Sequence, residues 1–130
     1  MRLKEKVALI TGASGGLGKH FCQAFLKEGA RVCVTDIAQD MVDAAVDELD
    51  SADAVTGAVV DVCSRSTIET AVAGAVEAFG SLDILVNVAG GALHTPHKFE
   101  EIDEAAWDKV VDINLKGTYL CCQVAVEQFR

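Results

Sequence analysis

A glycine-rich segment between an apolar run and a helical pattern constrains the fold of this chain more than any other feature. The segment reads TGASGGLG at positions 11–18 and places four glycines in eight residues. The apolar run VALI precedes it, and apolar residues recur at helical spacing from Leu17 to Lys27. Because a glycine inside a helix costs about 1 kcal/mol relative to alanine, this segment must need bare backbone for a reason other than helix formation.

The strand-then-helix pattern repeats along the chain. The strands are continuous apolar runs, which is typical of a parallel sheet covered on both faces, and short connections favour right-handed βαβ units. The sequence therefore predicts an α/β fold, a doubly wound parallel sheet of the Rossmann type with strand order 3-2-1-4, in one domain over residues 1–130. Predicted strands cover 6–12, 31–36, 54–62 and 82–90, and predicted helices cover 17–27, 41–49, 64–79 and 103 to the end.

Residues at the ends of these patterns predict where the helices begin and end. Asp40 is the candidate N-cap of the second helix, Ser64 or Ser66 that of the third, and Asp103 that of the last. Gly80 follows the third helix, where glycine commonly ends a helix.

Composition and charge exclude several classes of partner. The formal net charge of −9 argues against nucleic acid and anionic lipid, which both require a basic surface. No apolar run approaches the roughly 20 residues of a bilayer span, and the N-terminal apolar stretch is too short for a signal peptide. We therefore expect a cytoplasmic protein that binds neither nucleic acid nor membrane. The five cysteines are odd in number and form no C-x-x-C, so we expect reduced thiols, mostly buried.

The two histidines of the segment HTPH, His94 and His97, form a candidate metal pair. No third ligand is evident nearby, and we expect no metal. A solvated loop is the favoured interpretation, with a contact to substrate as the alternative.

The position of the glycines between a strand and a helix explains their use. A tight turn leaves the strand, a pyrophosphate approaches the backbone, and the helix packs closely on the sheet. The free N–H groups and the positive dipole end of the helix then hold the anion. The spacing is Gly12-x3-Gly16-x-Gly18, which differs from the common G-x-G-x-x-G, and alone it is weak evidence for a nucleotide site.

An acidic residue at the end of the second predicted strand strengthens this interpretation. The Asp36 carboxylate can accept hydrogen bonds from both adenosine ribose hydroxyls and would repel a 2′-phosphate. Neither Gly15 nor Ile37, which flank the position of that phosphate, is basic. The cofactor predicted is NAD rather than NADP. The alternative is a glycine-rich turn with no ligand, with the aspartate as a helix cap.

Several motifs together resemble the short-chain dehydrogenase/reductase family over essentially the whole chain. They are TGASGGLG, Asp36, Asp61-Val62, NVAG at 87–90 and NLKG at 114–117. The resemblance implies hydride transfer between a nicotinamide cofactor and an alcohol or carbonyl substrate, with Asn114 as a catalytic residue. It implies cofactor contacts from Gly12, Ser14, Gly16, Leu17, Gly18, Asp36, Asp61, Val62, Asn87, Ala89 and Gly90.

The chain departs from the family pattern in two ways. Val88 stands where the family usually has a second asparagine, and we expect a modest effect on stability. The family's catalytic Ser and Tyr-x3-Lys are missing, because the only tyrosine, Tyr119, is followed by Leu-Cys-Cys-Gln. We expect that motif further along, after a fifth strand, whereas this sequence ends at Arg130. Residues 1–130 are thus expected to be the cofactor-binding half of an enzyme and inactive alone.

Two function classes therefore remain open. The first is an NAD-dependent oxidoreductase acting on a small alcohol or carbonyl compound. The second is a short, catalytically inactive product that binds NAD or pairs with a full-length relative. In either case we expect self-association through the helix from Trp107 to Gln128, which resembles the family's interface helix. With four strands, the DILVNVA strand becomes a sheet edge, so we also expect marginal stability and association there.

Overall fold

The computed structural model describes all 130 residues, which form one parallel sheet flanked by helices. The strands are β1 (Val7–Ile10), β2 (Arg31–Asp36), β3 (Val55–Val59) and β4 (Ile84–Val86). The α-helices are α1 (Gly16–Lys27), α2 (Gln39–Leu49), α3 (Arg65–Phe79), α4 (Glu104–Val111) and α5 (Gly117–Phe129). A 3-10 turn (Phe99–Glu101) and a π-helical turn (Asp112–Lys116) complete the regular structure.

The strand order is β3-β2-β1-β4, with every neighbouring pair parallel. Leu9 of β1 lies opposite Cys33 of β2 on one side and opposite Leu85 of β4 on the other. Cys33 in turn lies opposite Thr56 of β3. The predicted fold class and strand order are confirmed, and β3 and β4 are the two edges of this sheet.

The two central strands, β1 and β2, are buried on both faces of the sheet, as their continuous apolar sequences predict. Leu9 and Cys33 belong to a cluster on one face, which α3 and α5 cover. Ile10 and Val34 belong to a second cluster on the other face, which α1 and α2 cover. Alternate residues of one strand thus enter opposite cores, and neither face of β1 or β2 is left to water.

The predicted start of the second helix is wrong, and that of the third is confirmed. Asp40 is the predicted N-cap of the second helix, but α2 begins at Gln39, and Asp40 lies in its first turn after the N-cap Ala38. Ser64, one of the two predicted caps, is the N-cap of α3, although its side chain makes no capping bond and its hydroxyl lies 3.3 Å from the Ser66 hydroxyl. The predicted cap Asp103 is confirmed, since its Oδ1 accepts a hydrogen bond from Ala106 N at 2.8 Å.

The last predicted helix is interrupted rather than continuous. Residues 112–116 form a π-helical turn between α4 and α5. π-helical turns are rare and appear frequently at functional sites. This turn contains Asn114, the residue for which the family resemblance implies a catalytic role.

The cysteines are all free thiols, and they divide into two groups. Cys22, Cys33 and Cys121 are buried, whereas Cys63 and Cys122 are exposed. Burial raises the pKa of Cys22 to about 11 and that of Cys33 to about 12, because an apolar core disfavours the thiolate. No helix combines the length and apolar character that crossing a membrane requires.

Candidate functional site

A cavity of approximately 580 Å³ opens at the carboxyl ends of β1, β2 and β4. This edge is where ligands bind in open α/β sheets, and the volume falls within the range of small-molecule sites, about 300–1,000 Å³. The cavity is lined by Thr11, Gly12, Ser14, Gly15, Gly16, Leu17, Gly18, Thr35, Asp36, Ile37, Met41, Val60, Asp61, Val62, Val88, Ala89, Gly90, Leu93 and Ile113.

Glycine is needed for different structural reasons at different positions of the β1–α1 loop. Gly12 has a φ of +59°, and a Cβ there would lie 2.9 Å from the backbone of Ala89. A Cβ at Gly18 would lie 2.7 Å from the Cα of Ala13 and would clash with the carbonyl oxygen of Gly12. A Cβ at Gly16 would meet no atom within 4 Å. Gly12 and Gly18 are therefore required by packing, whereas Gly16 leaves open space at the cavity.

The N-terminus of α1 presents free donors to this space. No backbone carbonyl or capping side chain accepts a hydrogen bond from the N–H groups of Gly16, Leu17 or Gly18. The first turn of α1 carries no acidic side chain to neutralise the helix dipole. These donors can hold an anion. Their local positive field offsets the repulsion that the negative net charge of the chain would exert on an anion here.

Asp36 lies at the end of β2 with its carboxylate held by three donors. Its Oδ2 accepts hydrogen bonds from the Ser14 hydroxyl at 2.5 Å and from Ser14 N at 3.2 Å. Its Oδ1 accepts a hydrogen bond from Ile37 N at 2.8 Å. None of the salt bridges of the structure involves Asp36. The carboxylate thus faces the cavity with its charge unpaired by any cation.

Thr11 joins the ends of β1 and β4 beneath the cavity. Its buried hydroxyl oxygen accepts hydrogen bonds from the backbone N–H groups of Val88 and Ala89, each at 3.1 Å. The side chain of Val88 packs against the cluster that α1 and α2 cover. The Val88 side chain therefore packs well at this position and forms part of the cavity wall, while its backbone N–H stays bonded to Thr11.

Asp61 and Val62 form another wall, after the end of β3. Asp61 Oδ1 accepts a hydrogen bond from Cys63 N at 2.9 Å. Gly117, the first residue of α5, lies so close to Val62 that a Cβ would be 2.7 Å from its Cγ2. This glycine allows α5 to approach the cavity wall.

Asn114 connects the π-helical turn to the loop that follows β4. Its Oδ1 accepts a hydrogen bond from Gly91 N at 2.9 Å, and its Nδ2 donates to the carbonyl oxygens of Gly91 and Val110, each at 2.9 Å. A Cβ at Gly90 would clash with Asn114 Oδ1. Both amide hydrogens of Asn114 are thus donated to backbone, and the side chain holds the loop at the cavity rim.

Most of the residues predicted from the sequence meet in this cavity, and two do not line it. Asn87 points away from the cavity, since its amide Nδ2 lies 3.5 Å from the Cys122 sulfur. Asn114 lies at the rim of the cavity, where it bonds to Gly91. Alternation along the strand explains Asn87, because Val86 and Val88 pack toward the cluster on the opposite face. Sequence reasoning missed Thr11, Thr35, Met41, Val60, Leu93 and Ile113 as lining residues.

The other candidate residues lie outside the cavity. Tyr119 is 56% exposed on α5 and does not line the cavity. His94 and His97 follow Leu93 in the loop between β4 and α4. No group of three or more histidine, cysteine, aspartate or glutamate side chains lies together in a metal-binding arrangement.

The family model for short chain dehydrogenases matches residues 6–130. A curated relative, the (2S)-[(R)-hydroxy(phenyl)methyl]succinyl-CoA dehydrogenase subunit BbsD of Thauera aromatica, is 40% identical over 124 residues, which cover 95% of this chain and 49% of the relative. The chain spans about half the length of the curated relatives it matches.

Two solved structures from Brucella melitensis share the fold. A short-chain dehydrogenase/reductase of the glucose/ribitol dehydrogenase type superposes with a TM-score of 0.91 and 31% identity, covering 100% of this chain and 54% of that one. A 3-ketoacyl-(acyl-carrier-protein) reductase complexed with NADH gives a TM-score of 0.88 and 33% identity, covering 98% of this chain and 51% of that one.

Proposed function

This chain belongs to the short-chain dehydrogenase/reductase family, and we propose that it is the NAD-binding portion of an oxidoreductase. In this proposal the α1 N-terminus receives the pyrophosphate, and Asp36 receives the adenosine ribose. Asp61 and Val62 contact the adenine, and Ala89 and Gly90 lie beside the nicotinamide ribose. The related reductase of Brucella melitensis, complexed with NADH, supports a nicotinamide cofactor.

The observation that carries the choice of NAD is the unpaired charge of Asp36. Its carboxylate is held only by neutral donors, and no lysine or arginine forms an ion pair with it. Two like charges about 4 Å apart repel by roughly 1 kcal/mol in water and by about 4 kcal/mol near a protein surface. A 2′-phosphate beside this carboxylate would therefore weaken binding, whereas ribose hydroxyls can donate to it.

The fit of the cofactor rests on the bare backbone of the β1–α1 loop. Gly16 leaves open space where a side chain would stand, beside free N–H donors. When bound, the cofactor supplies hydride acceptance or donation at its nicotinamide ring. The residues of this chain bind and orient it, and Asn114 holds the loop beside the nicotinamide end.

The test of this proposal is to measure the dissociation constants of NAD and NADP by titration calorimetry. We expect NAD to bind at least about tenfold more tightly, a difference of about 1.4 kcal/mol. Asp36→Asn should reduce the difference in affinity between NAD and NADP, because it removes the negative charge that would repel the 2′-phosphate of NADP. Asp40→Asn removes the same charge from α2 outside the cavity and serves as the control. Equal affinities in the unmodified chain, or tighter NADP binding, would refute the role of Asp36.

We further propose that the complete reaction requires residues that these 130 do not contain. The chain has no Tyr-x3-Lys, and Tyr119 lies outside the cavity. General acid–base catalysis contributes about 10²–10⁴-fold to rates. The chain alone is therefore expected to show no alcohol-dependent formation of NADH, followed by absorbance with a panel of alcohols. Robust NADH formation would contradict this part of the proposal.

A further inference from the structure

We propose that Ser14 is a positioning residue, which orients the Asp36 carboxylate toward the adenosine ribose of a bound nucleotide. This inference rests on the proposed nucleotide-binding function and goes further, because it assigns ribose recognition to a pair of residues. Ser14 lies in the loop between β1 and α1, and Asp36 ends β2, 22 residues later. The pair thus ties the proposed phosphate-binding loop to the proposed ribose acceptor.

The geometry of the pair distinguishes Ser14 from the other donor to Asp36. Ile37 N donates to Oδ1 from the next residue, so this bond moves with the end of β2. Ser14 provides both a hydroxyl and a backbone N–H to Oδ2, from a different segment of the chain. Only Ser14 can therefore fix the carboxylate relative to the α1 N-terminus.

The bonding pattern leaves the carboxylate available to a ligand. An ionised carboxylate has about four acceptor positions on its two oxygens, and three protein donors face Asp36. Oδ1 accepts only one of these bonds, so it retains capacity for a ribose hydroxyl. Both residues are half-buried, and the two bonds from Ser14 to Oδ2 restrict rotation of the carboxylate. Fixing the acceptor beforehand reduces the ordering cost that the ligand would otherwise meet on binding.

The experiment compares ADP with 2′-deoxy-ADP, which lacks one ribose hydroxyl, by calorimetric titration of the full chain. In the unmodified protein we expect ADP to bind about tenfold more tightly, as for a hydrogen bond to a charged group. In Ser14→Ala, the ratio of the two dissociation constants should fall to about a third of its original value or less, mainly because ADP binds more weakly. In an Asp36→Asn background, Ser14→Ala should have no further effect on the preference.

The matched control is Ser81→Ala. The Ser81 hydroxyl donates to Asp83 Oδ2 at 3.1 Å, so the variant removes the same kind of bond before β4, outside the cavity. It should leave both dissociation constants unchanged, and an equal loss of preference in this variant would overturn the proposal.

The remaining outcomes separate this inference from the proposed function. If Ser14→Ala weakens ADP and 2′-deoxy-ADP equally, the serine shapes the loop only, and the positioning role is wrong while nucleotide binding stands. If the unmodified chain binds neither nucleotide, the proposed function fails, and the positioning role fails with it.

Discussion

Single glycines in the β1–α1 loop offer a direct test of how the site is built. Gly18→Ala would place a Cβ 2.7 Å from the Cα of Ala13, in backbone that cannot move without shifting the strand end. We expect a loss of about 1–3 kcal/mol in the free energy of unfolding, as for other overpacked sites. Urea denaturation of the variant and the unmodified chain measures this loss.

The matched variant is Gly16→Ala, because a Cβ there meets no atom within 4 Å. Its stability should be unchanged or higher by up to about 1 kcal/mol, since alanine restricts the unfolded chain. Its affinity for NAD should nevertheless fall, because the added methyl group enters the cavity. Equal destabilisation by the two substitutions would contradict the separate roles assigned to these glycines.

At individual positions, the sequence predicted residues whose chemistry is unusual for their place in the chain. Glycines at a strand–helix junction and a carboxylate at a strand end stand out, and the structure brings Gly12 and Asp36 to one cavity. Thr11 could not be identified in this way, because threonine is ordinary at the end of a strand. Its two bonds are to the backbone of Val88 and Ala89, just after β4, which are 77 and 78 residues away in sequence.

Among the elements, the close approach of α5 to the cavity wall has a measurable consequence. Gly117→Ala would place a Cβ 2.7 Å from Val62 Cγ2, so either α5 or Val62 must move. We expect the variant to lose about 1–3 kcal/mol of stability and to bind NAD more weakly, because Val62 lines the cavity. Denaturation and calorimetric titration of the same preparations measure both effects.

The control for this substitution is Gly74→Ala in α3, where a Cβ would meet no atom within 4 Å. Alanine is favoured over glycine in a helix by about 1 kcal/mol, so this variant should gain stability and keep its affinity for NAD. If Gly117→Ala is as stable as Gly74→Ala, the contact between α5 and Val62 does not restrict this position.

The elements themselves were predicted well, and their ends less well. The apolar runs located all four strands, but β3 and β4 are shorter than the runs that contain them. Val60 and Val62 continue the apolar pattern and pack in the core, although the strand β3 ends at Val59. The π-helical turn was not predictable from periodicity, because the apolar residues from Trp107 to Leu120 keep helical spacing across it.

Across the whole molecule, the buried thiols couple stability to alkaline pH. The pKa of Cys33 is raised to about 12 in the folded chain by burial, against about 8.5 for a thiol in the unfolded chain. Between these two pKa values the Cys33 thiol stays protonated in the folded chain and is deprotonated in the unfolded chain. The contribution of this thiol to the free energy of unfolding is therefore fully present below about pH 8.5 and is lost as the pH rises toward the folded pKa.

We therefore expect the urea midpoint to fall as the pH is raised from neutral through the thiol range. Cys33→Ala should show a shallower fall, although its midpoint is lower at every pH because of the cavity. Cys63→Ala, at an exposed thiol, is the control and should retain most of the slope. Parallel slopes for Cys33→Ala and the unmodified chain would show that this thiol does not contribute.

The largest-scale prediction concerns self-association through the outer surface of α4, the π-helical turn and α5. Trp107 is 65% exposed, Leu115 69% and Tyr119 56%, which is unusual for apolar residues of this size. Burying such residues stabilises association by about 25 cal/mol per Å² of apolar surface. We expect sedimentation velocity to show concentration-dependent association of the unmodified chain, and Trp107→Glu to weaken it by about tenfold or more, since a charge would be buried.

Ala44→Glu introduces the same charge on the exposed side of α2, away from this surface, and should not alter the sedimentation profile. If Trp107→Glu sediments like the unmodified chain while association persists, another surface holds the copies together. The unpaired side of β4 is then the next surface to test, because its backbone groups pair only with β1 in the sheet. A monomeric unmodified chain at every concentration would contradict both surfaces, and the exposed tryptophan would need a partner other than a second copy.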